Sequence, residues 1–184
     1  MDISAVILSK APVSTVLPGV EVVQYVSSFT DAAGLLNARL AAIRLVKTKW
    51  FFFLDDDDNL PDDYESVLED CMGAGTVLAY TDELINTRVR KGATYSQDRF
   101  IADPLLVHHL AVCDTTATRM AALSIPRGCY MVENLLYFEL AKRGATYIDR
   151  VGYIWNKKPT GLHKHPSLLI GQVQSSTWAA RNRS

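Results

Sequence analysis

Apolar runs broken by polar clusters set out the chain's elements from its start. Residues 3–8 (ISAVIL) and 20–26 (VEVVQYV) have the length and β-branched content of strands, ended by Ser9, Lys10, Ala11 and Pro12 and by Ser27 and Ser28. From Asp31, as N-cap, an Ala-rich stretch carries Leu36, Leu40, Ile43 and Val46–Lys47 at helical spacing. Next comes an unbroken apolar run, Trp50, Phe51, Phe52, Phe53 and Leu54, which predicts a strand buried on both faces. Strand, strand, helix, strand predicts an α/β layer with a mostly parallel sheet flanked by helices.

Further on, residues 64–72 predict a helix closed near Gly73 and Gly75, and residues 76–80 (TVLAY) a strand. Residues 81–103 suggest a strand or hairpin with a loop, and 104–114 are apolar enough to be buried without declaring a type. A short helix is expected over 116–123, stopped by Ile125–Pro126, and a longer one over 130–144 ending at Gly144. A strand over 145–155, a basic loop over 156–165 and a final helix over 166–180 complete the reading. In that last helix Leu169, Val173 and Trp178 are expected to pack back. No internal repeat, low-complexity segment or Gly-rich phosphate loop is present.

The buried strand at Trp50 passes at once into four carboxylates, Asp55, Asp56, Asp57 and Asp58. Adjacent carboxylates repel one another unless a cation sits among them. At the C-terminal end of a central strand they stand where open α/β sheets bind ligands. Hard oxygen ligands suit Mg²⁺ or Mn²⁺, which use one or two carboxylates together with a substrate's phosphates. The pattern therefore points to a metal–diphosphate site. Helix capping explains part of the run, with Asp58 or Asn59 as N-cap, Pro61 in the first turn and Asp62 and Asp63 near the helix start, but capping needs one or two residues. A helix–loop–helix calcium site fails by count: its sixth position is Leu60 where Gly is needed, and its twelfth is Ser66 where Glu is needed.

Composition narrows the class. With 184 residues and 48% hydrophobic content the chain suits one well-packed domain, and no stretch approaches the length of a membrane span. Its start lacks the pattern of a signal peptide, and three cysteines without metal-ligand spacing fit a reducing compartment. The expectation is a cytoplasmic protein. The net charge of −1 conceals a division: 5 basic against 12 acidic residues over 1–80, and 8 against 1 over 140–184. Lys142, Arg143, Arg150, Lys157, Lys158, Lys164, Arg181 and Arg183 form a basic quarter that is either solvated surface or a means of steering a polyanion.

With these residues in view, the sequence resembles the GT-A glycosyltransferases, in particular the large inverting group called family two. Members carry Ala-Arg-Asn on a helix, then an apolar strand, then Leu-Asp-x-Asp-Asp. Here Ala38–Arg39 precedes Leu54–Asp55–Asp56–Asp57–Asp58, with Asp55 16 positions after Arg39. The family's catalytic Asp, at a helix start eleven residues before a Gly, falls on Glu133, counted back from Gly144. A C-terminal loop histidine that completes the metal site falls on His163, with His165 as competitor. The resemblance implies a single GT-A-like (Rossmann-like) domain with a nucleotide-binding part over about 1–80 and an acceptor and catalytic part over about 81–184.

It further implies a metal-dependent transferase that moves a sugar from a nucleoside diphosphate-sugar, UDP-sugar favoured, to an acceptor hydroxyl with inversion. Glu133 would be the base, Asp57 and His163 the ligands of Mn²⁺ or Mg²⁺, and Ser9, Ser27, Arg39, Asp55, Asp56 and Lys157 the nucleotide-sugar contacts. The acceptor is open: a glycan or protein, or, given the basic quarter, a polyanion such as hydroxyl-bearing modified DNA. The chain departs from the family at Ser9–Lys10–Ala11–Pro12, at the loop after the second strand, at Leu40 and in having Glu for the catalytic Asp. A nucleotidyltransferase and a non-catalytic nucleotide-sugar-binding domain are the rival expectations.

Overall fold

The computed structural model describes residues 1–28, 32–126, 132–156 and 166–182. In chain order the elements are β1 (Ile3–Ser9), β2 (Glu21–Val26), α1 (Ala32–Ile43), β3 (Trp50–Asp55), α2 (Tyr64–Gly73), β4 (Leu78–Ile85), β5 (Arg88–Arg90), α3 (Gln97–Ala102), β6 (Ala111–Asp114), α4 (Thr115–Ala122), α5 (Val132–Ala141), β7 (Ala145–Trp155) and α6 (Pro166–Arg181).

All seven strands join one sheet, flanked by helices. β1 lies parallel between β2 and β3, so the first half is wound as the crossover helix requires. β6 then runs antiparallel between β3 and β4. Two reversals make β4 parallel to β3 again, and β7 is parallel to β4 along its whole length. The C-terminal ends of β1, β3, β4 and β7, and the N-terminal end of β6, all open on the same edge of the sheet.

The central strands are apolar on both faces because helices cover both. Val6, Leu8, Phe51, Phe53 and Tyr80 pack with Ala38, Ile43, Leu136 and Leu140 on one side. Ile3, Ala5, Ile7, Phe52 and Leu54 pack with Val67, Leu68 and Tyr153 on the other. The alternation along 50–54 is thus a split of one apolar run between two cores.

Several sequence expectations are corrected in detail. α1 stops at Ile43, and Val46 is buried from the turn beyond it. The hairpin expected within 81–103 is formed, but its first strand is the continuation of β4 to Ile85, which turns into β5 through Asn86, whose φ of 54° suits an Asn in a tight hairpin. Residues 97–102 form α3, capped by Ser96, and the undeclared stretch 104–114 ends in the antiparallel strand β6. Asp58 and Asn59 cap no helix: α2 begins after Asp63, and Asn59 instead pairs with Ile154. Of the three α6 residues expected to pack back, Trp178 does so, edge-on to Phe138, while Leu169 and Val173 are exposed. Asp31 lies outside the described residues.

Gly152 is required where it stands. A Cβ there would lie 2.5 Å from Thr81 Oγ1, at the place where the β4–β7 register shifts around Asp82. Bulges of this kind re-aim side chains. Asp82 and Glu83, next to each other on β4, both end up buried.

Candidate functional site

Four elements meet at the sheet edge. β3 delivers the acidic run, α1 supplies Arg39, the N-terminal turn of α5 supplies Glu133, and the end of β7 supplies Tyr153 and Asn156. Arg39 is 3% exposed and lies with its guanidinium 4.9 Å from the centre of the Phe53 ring. One terminal nitrogen, Nη2, donates to Asp55 Oδ1 at 3.0 Å, and the other, Nη1, pairs with Glu133 Oε2. Burial opposes the guanidinium charge, but Glu133 and Asp55 outweigh that cost and push its pKa up. A planar fork can hold two carboxylates that arrive from different elements; an ammonium cannot do so with the same geometry. The residues that sequence placed 16 and 94 positions apart from Arg39 are therefore one cluster.

The four carboxylates divide into different tasks. Asp55 is partly exposed and faces Arg39. Asp56 and Asp57 are exposed at the edge. Asp58 turns inward: Tyr153 donates to its Oδ2 at 2.9 Å and the Asn156 N–H to its Oδ1 at 2.7 Å. Burial pushes the Asp58 carboxyl up to about 6, against those two hydrogen bonds. Tyr153 also accepts from the Asp55 N–H at 3.1 Å, and the Asn156 side chain donates to the Asp57 carbonyl at 2.9 Å. The acidic run is thus anchored to β7 by its own last member. Sequence reading missed both Asp58 as the anchor and Tyr153; a Tyr and an Asn closing a strand opposite an acidic loop were the available signal.

Tyr153→Phe removes a hydroxyl that satisfies two groups at once. It is expected to lower stability by about 1–3 kcal/mol, measured by urea unfolding.

Ser9 and Ser27 lie at the ends of β1 and β2, where the Ser27 N–H donates to the Ser9 carbonyl at 3.0 Å. Ser9 is buried and its hydroxyl accepts from Gln24 at 3.0 Å. Lys157 and His163 lie outside the described residues. Among the described residues no three His, Cys, Asp or Glu side chains converge to hold a metal ion. The exposed carboxylates of Asp56 and Asp57 nevertheless match a Mg²⁺ or Mn²⁺ held by one or two carboxylates and a ligand's phosphates. Of the described basic residues in the C-terminal quarter, two are taken up in ion pairs, Lys142 with Glu139 and Arg150 with Asp63 and Asp70.

A second group of ionisable side chains lies on the same edge. Glu83, 3% exposed, accepts from Arg90 at 2.7 Å and faces His108 Nδ1 at 3.1 Å. Burial would raise its carboxyl, but His108, His109 and Arg90 outweigh that and hold it down to about 2. Asp82, fully buried, takes hydrogen bonds from Lys91, Tyr147 and the Gly92 N–H. The folded value of Glu83 lies below its ordinary 4.5, so its stabilisation is present above pH 4.5 and is lost as pH falls toward 2. Between pH 6 and pH 3 the wild type should lose about 2 kcal/mol more than Glu83→Gln. Urea unfolding at the two pH values checks this.

The fold is shared with solved structures. TarS from S. aureus, residues 1–349 in complex with UDP-GlcNAc, superposes with a TM-score of 0.60 at 12% identity over 90% of this chain and 61% of that one. Another structure of TarS residues 1–349 gives 0.55 at 11% identity over 84% and 60%. The longer TarS structure gives 0.54 at 12% identity over 86% and 37%. The chain spans 49–61% of the TarS 1–349 structures it matches. No protein-family model and no curated protein matches the sequence. At these identities the likeness establishes the GT-A-like, Rossmann-like α/β fold.

Proposed function

We propose that this chain binds a nucleoside diphosphate-sugar, with UDP-sugar favoured, and transfers the sugar to an acceptor hydroxyl with inversion. The observation that carries the reading is Arg39. It joins the acidic end of β3 to Glu133 of α5 at the one sheet edge where strand ends converge, in a fold whose solved relative was crystallised with UDP-GlcNAc.

In this reading Ser9 and Ser27 border the nucleotide, and Asp55 and Asp56 face its ribose or the sugar. Asp57 and, from the segment outside the described residues, His163 would hold Mn²⁺ or Mg²⁺, with Lys157 adding positive charge. When bound, the metal would neutralise charge on the diphosphate. Glu133 takes the proton from the acceptor hydroxyl. Arg39 holds Glu133 by Oε2, which fixes the direction of the carboxylate that takes the proton.

Calorimetry with UDP, GDP, CDP and dTDP, with and without Mn²⁺, tests the donor site. The expected result is metal-dependent binding of UDP that falls at least about tenfold in Asp57→Asn. No binding of any of the four, with or without metal, would overturn the reading.

A further inference from the structure

The inference concerns the acceptor, and it rests on the transferase reading above. Glu83, His108 and His109 stand on the same edge as the acidic run, since β4 ends there and β6 begins there. They are also joined to it by contact. Tyr153, which holds Asp58, stacks on the His109 ring at 4.4 Å and 15°. The His108 ring centre lies 3.9 Å from that of His109 and 5.6 Å from that of Trp155. A continuous line therefore runs from Asp58 through Tyr153, His109 and His108 to Glu83.

The chemistry of this line is specific. An ionised carboxylate facing His108 Nδ1 keeps the proton on that nitrogen and fixes the ring's tautomer and direction. In the neutral ring Nε2 then carries a lone pair, which takes a hydrogen bond from a hydroxyl. His108 is 15% exposed, so part of its ring reaches the surface, and Trp155 beside it is half-buried. An aromatic face next to a directed polar group suits a sugar ring, apolar on its faces and hydroxylated at its rim.

The charges weigh against phosphate here. Arg90 is committed to Glu83 and to the Leu105 carbonyl at 2.6 Å. Lys91 is committed to Asp82 at 2.7 Å and to Asp149 at 2.5 Å. Asp82, Glu83, Asp103 and Asp149 place four carboxylates around these two cations. Among the described residues at this edge the four carboxylates outnumber the two cations, whereas binding of a nucleic-acid backbone depends on unspent Lys and Arg.

We propose that His108 anchors the acceptor by taking a hydrogen bond from one of its hydroxyls, that Glu83 positions His108, and that the acceptor is a carbohydrate rather than a nucleic acid.

The test uses the full chain with ¹⁵N-labelled histidine and UDP present, titrated separately with methyl glycosides of glucose, galactose and N-acetylglucosamine and with a short DNA duplex. Expected is a shift of the His108 Nε2 resonance with at least one glycoside. Glycoside affinity should fall about tenfold in Glu83→Gln and in His108→Ala, and partly recover in His108→Gln, whose amide oxygen can take the same bond. UDP affinity should be unchanged in all three variants. A merely structural role for His108 would leave its Nε2 signal unmoved by every glycoside, and that result overturns the proposal. A response to DNA alone overturns it in favour of a nucleic-acid acceptor. Failure of the wild type to bind UDP is a separate outcome that removes the transferase reading itself.

Discussion

Replacing Arg39 with methionine is expected to destabilise the protein by about 3–5 kcal/mol, because it breaks a buried ion pair and leaves its partners uncompensated. The guanidinium is almost fully buried, while Glu133 is 16% and Asp55 35% exposed. Water can reach both carboxylates, which places the expected loss toward the lower end. Arg39→Lys tests the geometry as distinct from the charge. Lysine keeps the charge but offers one nitrogen, so it can hold Asp55 or Glu133 well, not both. Its stability should fall between wild type and Arg39→Met. The double variant Arg39→Met with Glu133→Gln should recover part of the loss, since one stranded charge is gone. Equilibrium urea unfolding of the four proteins measures each term. Equal stability of wild type and Arg39→Met would show that the bridge contributes nothing.

Glu133→Gln carries the largest expected effect on turnover. Gln keeps the length of the side chain and an oxygen for Arg39 Nη1, so the site's shape is retained while the proposed proton acceptor is lost. Removal of a general base slows transfer by about 10²–10⁴-fold. UDP affinity should change less than about threefold, because the donor half of the site keeps its residues. Steady-state transfer, with calorimetry of UDP as the control, separates the two. A variant that retains full turnover would remove Glu133 from the chemistry and leave it as Arg39's structural partner.

These two predictions differ in how much of their basis was written in the chain. The apolar run 50–54 followed by four Asp residues marks a central strand and its ligand-bearing end without any coordinates, because only burial on both faces tolerates five large apolar residues in a row. The helix around Glu133 was equally legible, since its apolar positions recur at helical spacing and Gly144 ends the segment, with a φ of 127°. The division of labour among the carboxylates was not. All four Asp residues are the same in sequence, and what distinguishes Asp58 is Tyr153, 95 residues away. The same holds for Glu83 and His108, separated by 25 residues and brought together only because β6 inserts antiparallel between β3 and β4.

Local pattern misled where burial and position conflicted. The boundary drawn at Tyr80 between one strand and a separate strand or hairpin is absent, since β4 continues to Ile85 with Asp82 and Glu83 both buried because Lys91, Tyr147, Arg90 and His108 come to meet them. A buried charge is acceptable only with partners, and partners supplied by other elements are invisible in a local window. Leu169 and Val173 show the converse: their helical spacing predicted a packed face, but the buried side of α6 runs through Gly171, Ser175, Trp178 and Ala179 and leaves those two exposed.

The sequence by itself determined the layered α/β order and the acidic strand end, because hydrophobic periodicity and adjacent charges act over a few residues. The tertiary structure alone decided which carboxylate anchors the loop and which two meet at Arg39. It also decided that a Glu–His pair shares the edge with them, because ionisable groups are tuned by neighbours that the sheet topology delivers from distant parts of the chain.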